Sequence, residues 1–341
     1  MSGLLLGSPT HRPFPAVRSR LFAHFQTWRP YTVWYPGLIA VAGGATAARS
    51  DVSAGPIVLA WASATAAWLG AHYLGDYLDR DLDAIAKPQR PIPSGRLAAR
   101  EALSCGALLL IAGVVFAGLA APAAGVLAVA ICAGIWSYSA LFKSRGILGN
   151  LVRGLLSALA CALGATAVTG GLSFPAAVLG LAAAFCLHDT ASNLVGAMRD
   201  VVGDSTGGYG TVPVRHGLEV ATGTAAVLYT AGAALVVTVG WTAGGDPGYW
   251  VLGGIALSLG FVALSGLRGI ANRSARKTAL RSHAVLVVAR LAFAAAPCTL
   301  GFPTSAVLAV ALVLVLATVV TQHLMRQRHE TPARSDSEDR L

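Results

Sequence analysis

The chain has 341 residues, of which 55% are hydrophobic and only 12% are charged, and its mean hydropathy is +0.65. Soluble domains carry about 25% charged residues, so this composition excludes a water-soluble globular enzyme and, apart from the chain ends, a disordered protein. The net charge of +10 suits nucleic-acid binding in principle, but the positions of the basic residues point to another explanation.

Ten apolar segments are long enough to cross a bilayer, which requires roughly 20 mostly apolar residues per helix. In chain order they are 31–48, 54–74, 101–120, 122–142, 149–169, 174–197, 218–241, 249–266, 283–301 and 304–323. Very short joins follow the third and the fifth segments, so neighbouring helices are expected to be antiparallel. The sequence therefore predicts an all-α, polytopic membrane helix bundle with about nine or ten transmembrane helices.

Nearly all Lys and Arg residues lie in the N-terminal segment, in the loops after even-numbered segments and in the tail. The exceptions are Arg49, on the opposite side, and Arg153 and Arg290, just inside a segment. Ten crossings place all the other basic residues on one side. The positive-inside rule makes that side cytoplasmic, and it predicts a multi-pass protein of the cell membrane with both termini inside.

Two polar ends are expected to flank the transmembrane domain, which we place at residues 29–325. The first 28 residues are basic and carry no secretory signal, which indicates a cytoplasmic N-terminal segment. Residues 326–341 are polar and poor in apolar side chains, which predicts a disordered cytoplasmic tail.

The first of two acidic motifs follows the second apolar segment. On a helix, His72, Asp76, Asp79 and Asp83 share one face, whereas Asp81 points elsewhere. Carboxylates aligned on one face repel each other unless cations lie between them. Mg²⁺ binds through one or two carboxylates and completes its shell with water and substrate phosphate, so this row predicts a magnesium site.

The second acidic motif occupies the matching place after the sixth apolar segment. Asp200 and Asp204 are one helical turn apart, and Asp189 and Asn193 lie earlier on roughly the same face, next to His188. Solvated helix ends are the alternative interpretation of either motif alone. Two motifs at matched positions, in a chain with only 15 acidic residues, favour a functional site.

Basic residues near both motifs are candidates to hold a diphosphate beside the metal, namely Lys87, Arg90, Lys143 and Arg145. Ordinary anchoring at the cytoplasmic face is the alternative for most such residues. The proline-rich segment 88–95 cannot be a continuous helix, so we expect a stiff cap over a cavity mouth. A ligand with a charged head and an apolar tail, such as a polyprenyl diphosphate, fits this arrangement.

Ionisation of an allylic diphosphate leaves a carbocation, which needs a dry cavity with aromatic faces. Polar or aromatic side chains near the motifs are candidates to line that cavity, with core packing as the alternative for each aromatic residue. They are His72, Tyr73, Tyr138, His188, Asp189 and Asn193.

Residues 75–97, GDYLDRDLDAIAKPQRPIPSGRL, closely resemble the first aspartate-rich motif of the UbiA superfamily of intramembrane prenyltransferases. Residues 200–217, DVVGDSTGGYGTVPVRHG, resemble its second motif, and residues 138–150 are similar to its tyrosine–lysine segment. The resemblance implies a helical bundle with a central cavity capped on the cytoplasmic side. It also implies Mg²⁺-dependent use of a prenyl diphosphate.

The resemblance carries over to individual residues as follows. The magnesium-binding aspartates correspond to Asp79, Asp83, Asp200 and Asp204, with Asp76 beside them, and the diphosphate contacts correspond to Lys87, Arg90 and Lys143. Gly75 stands where the family has an asparagine, and Asn193 or Asp189 is a candidate to replace that polar group.

Two enzymatic functions fit these motifs. The first is transfer of a prenyl group, as a transferase of groups other than methyl, to a lipophilic acceptor such as an aromatic ring. The alternative is a terpene cyclase of the same family, in which His72, His188, Asp189 and Asn193 guide deprotonation. A transporter is disfavoured because the acids lie at helix ends rather than at the bilayer midplane. The expected partners are a prenyl diphosphate, a lipophilic acceptor and membrane lipid, without nucleic acid. The sequence does not indicate an oligomeric state.

Overall fold

The computed structural model describes residues 17–49, 52–270 and 274–330. Within these ranges the chain is helical and forms no strand, apart from one isolated β-bridge between Arg145 and Gly210. The helices are α1 (Val17–Trp28), α2 (Trp34–Ala48), α3 (Ala54–Leu78), α4 (Arg80–Ala86), α5 (Ala99–Ala120), α6 (Pro122–Ser137), α7 (Ile147–Thr169), α8 (Ala176–Thr206), α9 (Val212–Ala243), α10 (Pro247–Ser265), α11 (Ala275–Cys298), α12 (Thr304–Thr321) and α13 (Gln327–Glu330). Short π-helical turns extend α6 over Tyr138–Phe142 and α12 over Gln322–Arg326.

Nine helices in the described part of the chain are long and apolar enough to cross a membrane, namely α3 and α5 to α12, with the π-helical turns included in α6 and α12. The all-helical membrane fold is thereby confirmed. The first predicted segment, 31–48, forms only the 15-residue helix α2. A largely buried turn leads into it, and Trp68 Nε1 donates a hydrogen bond of 3.2 Å to Thr32 Oγ1 of that turn. Trp68 lies ten residues before the end of α3, about 15 Å along its axis, so the chain is already deep in the bundle where α2 begins.

The chain ends differ from the sequence-based boundaries. The helical path continues past residue 325 through α13, and the side chains of Arg326, His329 and Glu330 are buried. The border predicted at 325/326 therefore falls inside a helix. Residues 331–341 of the predicted disordered tail, and residues 1–16 of the predicted N-terminal segment, lie outside the described ranges.

Helices differ in how much of their surface faces outward. α8 and α11 are the most buried of the membrane-spanning candidates, whereas α5, α6 and α12 are the least buried. The outer helices present large apolar side chains such as Leu108, Phe261 and Leu312, as expected of a surface in contact with lipid tails. Polar side chains are concentrated on the inner helices, which surround a cavity.

Two glycines allow α2 and α7 to approach closely. A Cβ atom added at Gly164 would lie 1.7 Å from the carbonyl oxygen of Ala40, and one added at Gly43 would lie 2.0 Å from that of Cys161. Small residues at helix interfaces let backbones come together in this way in membranes. The contact positions α7, and with it one wall of the cavity, against the first helix that enters the bundle.

Gly164→Ala is therefore expected to destabilise the protein by about 1–3 kcal/mol, because the added methyl group forces two backbones apart. Gly223→Ala is a matched control, since a Cβ atom there meets nothing within 4 Å. Thermal unfolding of both variants in detergent measures the difference. Equal melting temperatures for the two variants would contradict the close approach.

Candidate active site

A cavity of about 750 Å³ opens among α3, α4, α7, α8 and α11. The five predicted aspartates all line it: Asp76, Asp79, Asp83, Asp200 and Asp204. All of them except Asp200 are buried, which is unusual for carboxylates and requires compensating partners. The two acidic motifs, 117 residues apart between Asp83 and Asp200, thus face one another across a single space.

The first motif lies at a break between two helices. α3 ends at Leu78 and α4 begins at Arg80, with Asp79 at the junction. The Asp83 amide donates to the Asp79 carbonyl at 2.8 Å, so the helical path is nearly continuous. Asp76, Asp79 and Asp83 consequently point to the same side, while the Asp81 side chain is 88% exposed.

The second motif lies on one uninterrupted helix. α8 carries Asp189, Asn193, Asp200 and Asp204, and all four line the cavity. Arg199 donates to both oxygens of Asp200, from Nε at 3.1 Å and from Nη2 at 2.6 Å. This two-pronged geometry fixes the Asp200 carboxylate at the mouth of the cavity.

Basic residues from other segments pair with the aspartates. Lys87 Nζ lies 2.9 Å from Asp200, and Arg90 Nη1 donates to both oxygens of Asp83 at 3.0 and 2.7 Å. Lys143 forms an ion pair with Asp79 in the same way. The predicted diphosphate contacts and the predicted metal ligands are therefore direct partners of one another.

Two lysines at the cavity mouth titrate differently because their surroundings differ. Burial and the neighbouring Arg90 cation lower the pKa of Lys87 below its usual value. Burial also disfavours the charge on Lys143, but the adjacent Asp79 carboxylate outweighs this effect and raises the pKa of Lys143. Lys143 is thus held firmly as a cation, whereas Lys87 loses its proton more readily than an ordinary lysine.

The carboxylates fit a magnesium site that is completed by a ligand. Carboxylate oxygens are the hard donors that Mg²⁺ prefers. No group of three or more His, Cys, Asp or Glu side chains in the described ranges is close enough to cage an ion alone. The arrangement suits an ion that takes one or two oxygens from each motif and the remainder from water and a bound phosphate, which is the usual way Mg²⁺ binds.

Three of the predicted site residues do not line the cavity. Arg145 is exposed, with its guanidinium 5.7 Å from the Phe142 ring, and it does not line the cavity. Tyr73 points toward α1, where its hydroxyl is 2.7 Å from His24 Nδ1. His188 is fully buried, with its ring 4.5 Å from the Phe293 ring. Tyr73 and His188 each adjoin a cavity residue in sequence, and one helical step of about 100° turns them away from the cavity.

The other predicted cavity residues do line it, namely His72, Tyr138, Asp189 and Asn193. His72 Nδ1 is 3.0 Å from the Trp28 carbonyl oxygen, so that nitrogen carries the proton. Asn193 donates to the Tyr138 hydroxyl at 3.3 Å. Gly75 also lines the cavity, and a Cβ atom there would meet nothing within 4 Å, so the absent asparagine leaves open space.

Sequence reasoning missed several charged residues of the cavity. Arg29 forms an ion pair with Asp76, and Arg199 precedes Asp200 directly in the chain. Arg153 and Arg290 line the inner wall. The last two were visible in the sequence as exceptions to the basic cytoplasmic side, because charged residues inside membrane segments usually mark functional cavities.

The least expected of these residues is Glu330, from the end of the described chain. Its carboxylate lies 3.1 Å from Arg199 Nη1, 3.5 Å from Lys87 Nζ and 3.7 Å from Arg90 Nη2. Burial alone would raise the pKa of Glu330, but these three cations lower it well below the usual value. An anion from the chain itself thus occupies the basic part of the cavity mouth.

Comparison with known proteins identifies the family. Residues 37–265 match the model of the UbiA prenyltransferase family. The chain belongs to the UbiA prenyltransferase family. It is 30% identical over 264 residues to digeranylgeranylglyceryl phosphate synthase of Ignicoccus hospitalis. The matched region covers 75% of this chain and 82% of that protein. It is also 30% identical over 237 residues to the synthase of the same name from Halobacterium salinarum, and this match covers 67% of this chain and 82% of that protein.

Solved structures of UbiA proteins share the fold. The apo structure of a UbiA homologue from Aeropyrum pernix K1 matches with a TM-score of 0.64 and 16% identity, over 85% of this chain and 98% of that one. A UbiA homologue from Archaeoglobus fulgidus bound to GPP and Mg²⁺ matches with a TM-score of 0.57 and 15% identity. This match covers 88% of this chain and 99% of that one. The solved structures thus show the fold that the motifs indicated, and the family match and the two synthases identify this UbiA protein as an enzyme of the prenyl-transferring class.

Glu330→Gln is expected to tighten the binding of inorganic diphosphate by about tenfold, the equivalent of one charge-assisted hydrogen bond. The reason is that the variant frees Lys87, Arg90 and Arg199 from a competing carboxylate. Isothermal titration of the detergent-solubilised protein measures the affinity. Glu219→Gln, which removes an exposed carboxylate of α9, serves as the control. If both variants bind diphosphate as the parent does, Glu330 does not obstruct the site.

Proposed function

We propose that this UbiA enzyme transfers the prenyl group of a prenyl diphosphate to a lipophilic acceptor in a Mg²⁺-dependent reaction. The observation that carries the proposal is the convergence of both aspartate motifs on one cavity, with cations beside each motif. The cavity opens to the cytoplasm, as the distribution of basic residues indicates.

The rim of the cavity binds the diphosphate head. Lys143, Arg90 and Lys87 are positioned to exchange their carboxylate partners for phosphate oxygens, and Arg199 adds a further guanidinium. When bound to the aspartates, Mg²⁺ supplies positive charge that stabilises the departing diphosphate. The C1–O bond breaks with its electron pair on the diphosphate, the acceptor's nucleophile bonds to C1, and the acceptor's proton is released.

Similarity to the two archaeal synthases supports a lipid acceptor more than an aromatic ring. Their name describes a product with two geranylgeranyl groups on glyceryl phosphate. An acceptor of that type is lipophilic and carries an oxygen nucleophile. We therefore favour a glyceryl phosphate type of acceptor over the aromatic ring that the sequence first suggested.

The charges in the cavity disfavour the alternative, terpene cyclisation. The face of Trp68 is covered by the Arg153 guanidinium at 4.0 Å, and the face of Tyr35 by that of Arg290 at 4.7 Å. A migrating carbocation would therefore meet fixed positive charges instead of free aromatic faces, which is unfavourable in a medium of low dielectric constant. Early capture by an acceptor avoids this repulsion.

Asp79→Asn and Asp200→Asn are each expected to lower Mg²⁺-dependent release of diphosphate by at least about a hundredfold, because each removes a carboxylate that would hold Mg²⁺ beside the leaving group. Asp81→Asn is the matched control, since Asp81 belongs to the same motif but is exposed. Diphosphate release from geranylgeranyl diphosphate, with geranylgeranylglyceryl phosphate as acceptor, is the measurement. Activity of either cavity variant equal to that of Asp81→Asn would refute the assignment of the site.

Product analysis separates transfer from cyclisation. With geranylgeranyl diphosphate and Mg²⁺ we expect prenylated acceptor when an acceptor is present, and little turnover when it is absent. Gas chromatography of the hexane extract detects hydrocarbons, and liquid chromatography with mass spectrometry detects the adduct. A cyclic hydrocarbon formed without acceptor would overturn the transferase proposal.

A further inference from the structure

One ring nitrogen of His72 makes no hydrogen bond within the described part of the protein. Its other nitrogen, Nδ1, lies 3.0 Å from the carbonyl oxygen of Trp28, which can only accept, so Nδ1 carries the proton and Nε2 has a lone pair. Nε2 is not among the buried side-chain atoms that lack a partner, and His72 lines the cavity. The basic nitrogen is therefore open to a ligand that enters the cavity.

Contacts on two sides hold the His72 ring in place. Besides the Trp28 carbonyl group, the Trp68 ring lies edge-on to it, with 5.0 Å between the ring centroids. Trp28 is itself anchored, because its Nε1 donates to the Tyr73 hydroxyl at 2.8 Å. A catalytic group that is already oriented before the substrate binds loses little freedom in the reaction, which favours catalysis.

The position of His72 along α3 matches the level at which prenyl transfer takes place. His72 precedes Asp76 by one helical turn, which places it about 6 Å deeper in the cavity. The C1 atom of the donor is bonded directly to the diphosphate, so it lies just inside the rim that binds this head group. An acceptor that attacks C1 consequently carries its proton at about the level of His72.

Gly75 leaves space for the acceptor next to His72. The two residues are three positions apart, hence neighbours on the helix surface, and both line the cavity. A Cβ atom at Gly75 would meet nothing within 4 Å, so the described residues leave open space at this point. A hydroxyl group of the acceptor fits into that space, beside the imidazole ring.

The other basic groups that line the cavity are engaged elsewhere. The rim aspartates are the expected ligands of Mg²⁺, and Asp189 pairs with Arg153 at 3.6 Å. His283 accepts a hydrogen bond at Nδ1 from Arg326 Nη2 at 2.5 Å, so its Nε2 carries the proton. Lys87 lies at the rim, where a bound diphosphate keeps it charged. Of the described histidines that line the cavity, His72 alone offers a free basic nitrogen.

We infer that His72 is the general base that takes the proton of the acceptor's hydroxyl group. This inference rests on the proposed function, because it assigns one step of that reaction. As the acceptor oxygen bonds to C1, the C1–O bond of the donor breaks with its electron pair on the diphosphate, and the hydroxyl proton moves to His72 Nε2. The imidazolium then passes this proton to water at the cavity mouth, since the cations Arg29, Arg153 and Arg290 repel it.

Single-turnover kinetics of His72→Asn test the inference, with geranylgeranyl diphosphate, Mg²⁺ and geranylgeranylglyceryl phosphate. The asparagine amide keeps a donor for the Trp28 carbonyl group but has no basic nitrogen. We expect the rate of prenyl transfer to fall about a hundredfold, the usual contribution of a general base, with unchanged affinity for geranylgeranyl diphosphate. His323→Gln, which replaces an exposed histidine, is the control and should change neither quantity.

An acceptor with a thiol in place of the hydroxyl separates a catalytic from a structural role of His72. A thiol gives up its proton more readily, so the loss of rate in His72→Asn should be smaller with this analogue. An unchanged rate in His72→Asn, or an equal loss with both acceptors, would overturn the inference. A parent protein that transfers the prenyl group to neither acceptor refutes the proposed function instead.

Chemical modification of the parent protein replaces the variant if His72→Asn does not fold. Diethyl pyrocarbonate reacts with unprotonated histidine nitrogens, so peptide mass spectrometry should find His72 modified. Bound geranylgeranylglyceryl phosphate should protect it, because the acceptor lies between the ring and the cavity mouth. A His72 that stays unmodified, or that the acceptor does not protect, contradicts the inference.

Discussion

Neutralisation of charge inside an apolar helix bundle is the constraint on which this structure depends. A carboxylate taken out of water is stable only with a close cation or hydrogen-bond donors. Here the cations come from other segments: Arg29 precedes α2, Lys143 follows α6, and Lys87 crosses from the end of α4 to Asp200 on α8. The ion pairs therefore connect helices as well as balance charge, and they hold the site together before any ligand arrives.

The rim of the cavity and its inner end differ in their balance of positive and negative charge. At the rim Arg29, Lys87, Arg90, Lys143 and Arg199 each have an aspartate partner, and Glu330 supplies an additional carboxylate. Deeper in the cavity two guanidinium groups, those of Arg153 and Arg290, face the single carboxylate of Asp189. A diphosphate with magnesium adds charge of both signs, which suits the balanced rim.

Much of the fold and the rim could be predicted from the sequence, because both depend on local patterns. Hydropathy located the membrane helices, and helical spacing placed Asp76, Asp79 and Asp83 on one side with Asp81 outside. The other parts of the site could not be predicted, because they depend on contacts between residues that are far apart in the sequence. Nothing in residues 326–341 indicated that Glu330 would reach Arg199, because the attraction exists only after α12 returns the chain to the cavity mouth.

Other predicted site residues do not line the cavity because neighbouring residues on a helix point in different directions. Tyr73 and His188 each adjoin a cavity residue, and a sequence motif does not tell which of two neighbours faces inward. Arg145 lies two residues after Lys143, beyond the π-helical turn that directs Lys143 to Asp79. That turn has no clear signature in the sequence, and it decides which of the two cations enters the site.

The break between α3 and α4 has a mechanical consequence. Asp76 lies before the junction and Asp83 after it, so the separation of these two carboxylates depends on the angle between two helices. A ligand that engages both carboxylates fixes that angle, and with it the proline-rich segment that continues from α4. A ligand bound at the rim would therefore stiffen the proline-rich segment as well as hold the two carboxylates in place.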